Sequence, residues 1–237
     1  MIKIENEEVV GWEHAIRGMR NPKNSWDRCD SGFMLMNEND VELGENPDYE
    51  FVIGENDSKL MTVLRDAGTD HRKYMRMITV YLDIIAPLYW WKEFDTYKVG
   101  TVANSCSTMH KIHDKEFTLD DFSCENLVYW DVNQNSNNVA IPIACLSETI
   151  AVLNSCRDKY IETKDKLYWE QMIQLLPSSY NQKRTVMLNY EVLANMYKSR
   201  KNHKLAEWRE FCKWIETLPY SELITGKECG TNENLQT

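Results

Sequence analysis

Residues 77 to 94, MITVYLDIIAPLYWWKEF, constrain the fold more than any other stretch of the chain. Met77 to Ile85 is β-branched and aromatic with no breaker, which suits a mostly buried strand. Pro87 stands where a helix should begin, because a residue with fixed φ and no N–H loses nothing in the first turn. Leu88 to Lys98 then reads as that helix, with Trp90, Phe94 and Tyr97 on one face and Trp91, Asp95 and Lys98 on another, until Gly100 stops it. The next segment, GTVANSCST, offers six hydrogen-bonding side chains in nine residues. Either a core helix runs into an ordinary polar loop, or a helix end and its loop grip something small and polar.

Composition narrows the second possibility. The 237 residues carry a net charge of −10, which argues against a sequence-independent grip on duplex nucleic acid but allows a small anion in one basic pocket. No run approaches the roughly 18 apolar residues of a membrane span, and MIKIENEEVV lacks the pattern of a signal peptide. Seven cysteines, odd in number and without a Cys-x-x-Cys pair, read as reduced thiols of a cytoplasmic protein. There is no G-x-G-x-x-G, no G-x-x-x-x-G-K-[ST] and no G-x-S-x-G. With nine glycines in all, a phosphate must be held mainly by side-chain cations and hydroxyls.

Other elements are legible. Asp57 or Ser58 can cap a helix carrying Leu60, Met61, Val63, Leu64 and Ala67, with Gly68 as its stop. Ser147 with Glu148 starts a long helix reaching about Lys164, and His203 to Thr217 is helical until Pro219. Residues 36 to 58 are acidic and turn-rich, 124 to 142 read as loop around short strands, and the tail from Gly226 to the end is polar and frayed. Helices with a few strands and no βα alternation give an α+β fold, expected as a single domain over residues 1–225 with 226–237 as a flexible tail.

Three constellations could carry chemistry. In RTVMLNYEVLANMYKSR, a helix opening at Asn189 puts Asn189, Leu193, Met196 and Arg200 on one face. An Asn and an Arg on an apolar face are costly unless each finds a partner, whether an internal carboxylate such as Glu207 or a ligand. His110 and His113, followed by Asp114, lack the companions of a metal set, so no metal site is assigned. Cys106 has no adjacent base in sequence and reads as a plain cysteine.

The order of elements resembles the flavin-dependent thymidylate synthases. In that family a strand ending in Ala-Pro leads into an aromatic helix and then a motif R-H-R-x-x-S-x-N-E-x-S-x-R. Here Ala86-Pro87 leads into LYWWKEF, and the motif position reads Thr96-Tyr97-Lys98, then Thr101, Asn104 and Ser107. Leu176-Pro177, Asn189, Asn195 and Arg200 match the family's C-terminal segment without a gap. The resemblance covers roughly residues 57 to 112 and 146 to 218. It implies an antiparallel sheet flanked by helices, a homotetramer and FAD as cofactor. It also implies transfer of a methylene from methylenetetrahydrofolate to C5 of dUMP, or of a one-carbon unit to a related pyrimidine nucleotide, with NADPH as a further co-substrate and no enzyme nucleophile. By position, His71, Arg72, Tyr97, Lys98, Thr101, Asn104, Asn189 and Asn195 would hold the cofactor. Glu93, Lys98, Cys106, Ser107 and Arg200 would face the nucleotide.

This chain also departs from the family. Thr96 and Tyr97 replace the motif's first Arg and its His, Thr108 or Met109 its last Arg, Glu191 a flavin-binding Arg and Ile173 a nucleotide-binding Arg. Planar bidentate cations have become neutral groups or a point charge. The alternative function is therefore a non-catalytic flavin- or nucleotide-binding homologue that lost the signature arginines.

Overall fold

The apolar run folds as a strand that turns directly into a helix at Pro87. In the computed structural model, which describes residues 2–35, 49–134 and 139–226, the chain runs β1 (Lys3–Val10), α1 (Trp12–Arg20), β2 (Gly32–Leu35), β3 (Tyr49–Val52), α2 (Glu55–Asp66), β4 (Thr79–Pro87) and α3 (Leu88–Phe94). It continues with β5 (Val102–Ser105), α4 (Pro142–Thr163), α5 (Lys166–Leu175), β6 (Asn181–Asn189), α6 (Tyr190–Arg200), α7 (Ala206–Ile215) and α8 (Glu222–Thr225). The class is α+β, an antiparallel sheet flanked by helices. The four-stranded sheet has the order β1-β4-β6-β5, and β2 pairs antiparallel with β3, Gly32 opposite Val52. Among the described residues no helix is long and apolar enough to cross a membrane.

Contacts gather the chain into two units of interleaved segments. One comprises Met1–Asn6, Leu82–Lys98 and Ala103–Val186, the other Glu7–Tyr81, Val99–Val102 and Met187–Thr237. In the first unit, Trp90, Trp91 and Phe94 of α3 are at most 1% exposed and pack against one another, ring centroids 4.9 to 5.1 Å apart. Arg184 of β6 lies 4.2 Å over the Trp91 ring, and the Trp91 indole N–H donates to the Gln182 carbonyl at 3.0 Å. A satellite core joins Phe117 and Phe122 to Leu146, Ile150 and Leu153 of α4 and Met172 of α5.

The second unit buries α1 (Trp12, Ile16), Tyr74 and Met75, the apolar faces of α6 (Leu193, Met196) and α7 (Trp208, Phe211, Ile215), and Leu223 of α8. Its N-terminal half is organised by one carboxylate. Asp57, fully buried, accepts from the backbone N–H groups of Asp30 and Ser31, the Ser31 hydroxyl and Arg20 Nε at 2.6 to 3.1 Å, and from Cys29 Sγ at 3.4 Å. Burial pushes its pKa up, but the Ser31 hydroxyl, Arg20 and the Asp30 N–H outweigh burial and hold it below the usual carboxylate range.

Local boundaries differ from the sequence expectations, each for a visible reason. Helix α2 is not capped by Asp57 or Ser58 but starts at Glu55. Asp30, 26 residues upstream of Asn56, accepts from the N–H groups of Asn56 and Asp57 and so caps the helix from outside. Pro87 ends β4 and stands just outside α3 as its N-cap. Helix α3 stops at Phe94 rather than Lys98, because the Thr96 hydroxyl and N–H both turn back onto the Glu93 carbonyl at 2.7 and 3.1 Å. The polar stretch after Gly100 is not a loop: Val102–Ser105 is an exposed strand beside β6. Helix α4 begins at Pro142 in its first turn, not at Ser147, whose hydroxyl bonds back to the Ile143 carbonyl. Residues 124 to 134 and 139 to 141 form no strand. The acidic segment 36–48 and the tail 227–237 lie outside the described residues.

Asp57→Ala leaves Arg20, itself 3% exposed, without its counter-charge. Denaturant unfolding should show a loss of about 3–5 kcal/mol, the usual effect of breaking a buried pair by removing one partner. A loss under about 1 kcal/mol, the range of an exposed pair, would mean that Asp57 does not organise this half of the unit.

Candidate functional site

The last residue of β6 starts the site. Asn189 has extended backbone and is the N-cap of α6, its side-chain oxygen accepting from the Val192 N–H at 3.0 Å. The next residue, Tyr190, donates its N–H to the Ile78 carbonyl at 3.1 Å, which fixes the start of α6 beside the start of β4. Against this junction sits Gly100, with φ of +78°. A Cβ there would come within 2.7 Å of Asn189 Nδ2 and 3.3 Å of Val192 Cγ2. The turn after α3 can therefore pass so close to the asparagine amide only with glycine at this position. Thr101, next in sequence, has a buried hydroxyl oxygen with no hydrogen-bond partner in the structure.

One residue into α6 an acid gathers two arginines. Glu191, 8% exposed, is paired with Arg76 Nε and Nη2 and, at 3.3 Å, with Arg72 Nε. Arg72 in turn donates from Nη2 to Asn195 Oδ1 at 3.0 Å. Burial raises the Glu191 pKa, but the hydrogen bonds and fields of Arg76 and Arg72 outweigh it and keep the carboxyl below its usual range. Both arginines come from the short 3-10 turn Arg72–Arg76, whose Tyr74 and Met75 are buried and anchor it. In a chain of net charge −10 this turn, with Arg72, Lys73 and Arg76, is a local concentration of cations next to a helix N-terminus. Arg76 and Gly100 were not assigned from sequence. The run HRKYMR was the available signal for the first, and a glycine closing an aromatic helix was the signal for the second.

The assigned residues divide between the units. His71, Arg72, Thr101, Asn189, Asn195 and Arg200 belong to one, and Glu93, Tyr97, Lys98, Asn104, Cys106 and Ser107 to the other. Within the first group, Arg72 and Asn195 touch directly. Arg200 lies at the far end of α6, about 15 Å along the axis from Tyr190 at 1.5 Å per residue, and its guanidinium is 4.8 Å from the Trp208 ring centroid. Stacking on an indole is one partner that a cation on an apolar face requires. In the second group, the Ser107 oxygen accepts from the N–H groups of Met109 and His110, leaving its O–H to donate. The Cys106 backbone is tied to Gln182 and Lys183 of β6. Asn104 and Lys98 are exposed, with no side-chain partner among the described residues. A cavity of about 680 Å³ in the Glu7–Tyr81 segment, walled by Arg20, Trp26, Phe33 and Phe51, contains none of these residues.

The donors present fit an acceptor-rich, anionic ligand such as a flavin dinucleotide. The Asn189 amide and the unsatisfied Thr101 hydroxyl sit at a glycine turn that leaves room for nothing larger than hydrogen, and the Arg72 and Arg76 guanidinium groups are held on Glu191 in the first turn of α6.

No protein-family model and no curated protein sequence matches the chain. Solved structures do. Thymidylate Synthase X (ThyX) from Helicobacter pylori, crystallised with FAD and dUMP, superposes with a TM-score of 0.64 at 14% identity, over 95% of this chain and 97% of that one. A UMP/dUMP methylase, PolB from Streptomyces cacaoi, bound with 5-Br dUMP, superposes with a TM-score of 0.60 at 12% identity, over 95% of each chain. The chain thus has the fold of the flavin-dependent thymidylate synthases along nearly its whole length.

Two outcomes test this geometry. Gly100→Ala should cost about 1–2 kcal/mol for the left-handed backbone alone and should displace the Asn189 amide, visible as a shift of its side-chain NH₂ signals. The Glu191 ion pairs should also show in the pH dependence of stability. A carboxyl held below its unfolded-state pKa of about 4.3 stabilises fully above that pH and loses the contribution as pH falls through the lower folded value. The stability difference between wild type and Glu191→Gln should therefore be largest near neutrality and shrink below about pH 4. A difference independent of pH would contradict the pairing.

Proposed function

We propose that this chain is a divergent flavin-dependent methyltransferase of the thymidylate synthase type. It would transfer a one-carbon unit from methylenetetrahydrofolate to dUMP or a related pyrimidine nucleotide, with NADPH supplying electrons, and would work in the cytoplasm as a homotetramer. The observation carrying this reading is the junction at Asn189. On the fold of proteins solved with FAD and dUMP, Asn189 stands with Gly100 and the unsatisfied Thr101 hydroxyl at the start of α6, and Asn195, midway along the same helix, is held by Arg72.

Reduced FAD, when bound, is the hydride source. The chain's own residues then bind and orient. Asn189, Asn195, His71, Arg72 and Thr101, with Tyr97, Lys98 and Asn104, hold the cofactor. Glu93, Lys98, Cys106, Ser107 and Arg200 serve the nucleotide: the Ser107 O–H donates, and Arg200 supplies a guanidinium whose orientation Trp208 fixes in advance. No side chain is assigned as nucleophile.

One observation favours the second reading, a flavin- or nucleotide-binding homologue without catalysis. Ile173, at the position of a nucleotide-binding arginine, packs on the satellite apolar core instead of offering a charge. Together with Thr96 and Tyr97 this removes several bidentate anion contacts. Absorbance spectroscopy separates the readings. The purified protein should be yellow or take up FAD on titration, and bound reduced FAD should be reoxidised in a dUMP- or UMP-dependent manner when methylenetetrahydrofolate is present. FAD uptake without nucleotide-dependent oxidation supports the non-catalytic homologue, and absence of any FAD uptake removes the enzyme and the flavin-binding homologue, leaving only one that binds the nucleotide.

A further inference from the structure

Both asparagines at the site have a fixed amide polarity. Asn189 faces the backbone N–H of Val192, and Asn195 faces the Arg72 guanidinium. Each partner is donor-only, so the asparagine atom turned toward it must be the oxygen. The two NH₂ groups are thereby left without a hydrogen-bond partner among the described residues, that of Asn195 on an exposed side chain and that of Asn189 beside the Gly100 turn. Arg72 is in turn held by Glu191, which also binds Arg76. Guanidinium groups and the two amides together present N–H donors and no asparagine acceptor.

We propose that the series Arg76–Glu191–Arg72 acts as a positioning relay that locks the Asn195 amide, so that Asn195, like the N-cap Asn189, offers only N–H donors to the carbonyls of a bound flavin. Glu191 then does more than stand in place of the usual arginine. It positions two arginines from the Arg72–Arg76 turn, and through them the polarity of a residue that touches the ligand. This rests on the flavin reading above and adds to it a direction of hydrogen bonding and two positioning residues, Glu191 and Arg76.

Isosteric exchange tests it cleanly. Asn189→Asp keeps an oxygen for the Val192 N–H, and aspartate is as good an N-cap, favoured further by the helix dipole. Asn195→Asp keeps the oxygen for Arg72 and turns the bond into an ion pair, against a small repulsion from Glu191 four residues earlier. Both variants should therefore melt at or above the wild-type temperature while losing the amide N–H donors. In FAD titrations followed by flavin fluorescence, each should bind about tenfold more weakly or worse. Measurement at 0.1 M and 0.5 M salt separates donor loss from simple charge repulsion, because only the second is screened.

Glu191→Gln should also weaken FAD binding, but the same change made in the Asn195→Asp background should add little, as expected of a residue acting through another. Stable variants that bind FAD as wild type does, a loss that vanishes in 0.5 M salt, or an additive double variant would each overturn the proposal while leaving the flavin reading intact. A wild-type protein that takes up no FAD would overturn both.

Discussion

The hydrogen bond from the Val192 N–H to the Asn189 side chain is the point on which the site depends. It ends β6 and begins α6 in one step, because an N-cap holds extended backbone while its side chain satisfies a helix N–H. Four consecutive residues then fix their neighbours. Asn189 meets Gly100, Tyr190 bonds to the Ile78 carbonyl, Glu191 binds Arg72 and Arg76, and Val192 packs against the same glycine turn. Few side chains are needed because the strand-to-helix junction has no loop in which orientation could be lost.

Two buried carboxylates do comparable work in the same unit. Asp57 gathers a serine hydroxyl, two backbone N–H groups, a thiol and Arg20, and Glu191 gathers two arginines. A buried ion pair gives back in attraction much of what its charges lose in leaving water, so its net effect on stability is modest even though breaking it is severe. Its larger effect is directional: a guanidinium held on two sides has one orientation. At Asp57 that orientation serves the local fold, and at Glu191 it reaches the residue proposed to meet the ligand.

The superposition with ThyX and PolB shows one fold carried by very different sequences. At 12–14% identity nearly the whole chain path is shared. An apolar position tolerates any residue of similar volume, so β4 or α6 keeps its place through many exchanges. A charged site does not tolerate exchange in this way, because a guanidinium, an imidazole and a carboxylate differ in kind. Glu191 illustrates the difference: a carboxylate occupies the first turn of α6, and the cations around it come from another segment.

What the sequence determined by itself was the pattern of burial and the places where it is interrupted. The apolar run at 77–85, the aromatic helix after Pro87, the long helix ending near Lys164 and the segment opening at Asn189 were legible because each depends on neighbours within a few residues. The N-cap role of Asn189 does not belong with these: the spacing put it on the helix face, and the structure sets it just before the helix with its side chain on the Val192 N–H. The tertiary structure decided what depends on distant partners. Asp30 caps α2 from far upstream, Thr96 ends α3 early, and the polar stretch after Gly100 becomes a strand because β6 lies beside it. Sequence spacing could put Asn195 and Arg200 on a helix, but not reveal that Arg72 turns the amide of one or that Trp208 receives the other. Hydrogen bonds and ring contacts across more than a hundred residues, or around the end of a helix, leave no period in the chain. Their existence is set by where the backbone brings the groups together.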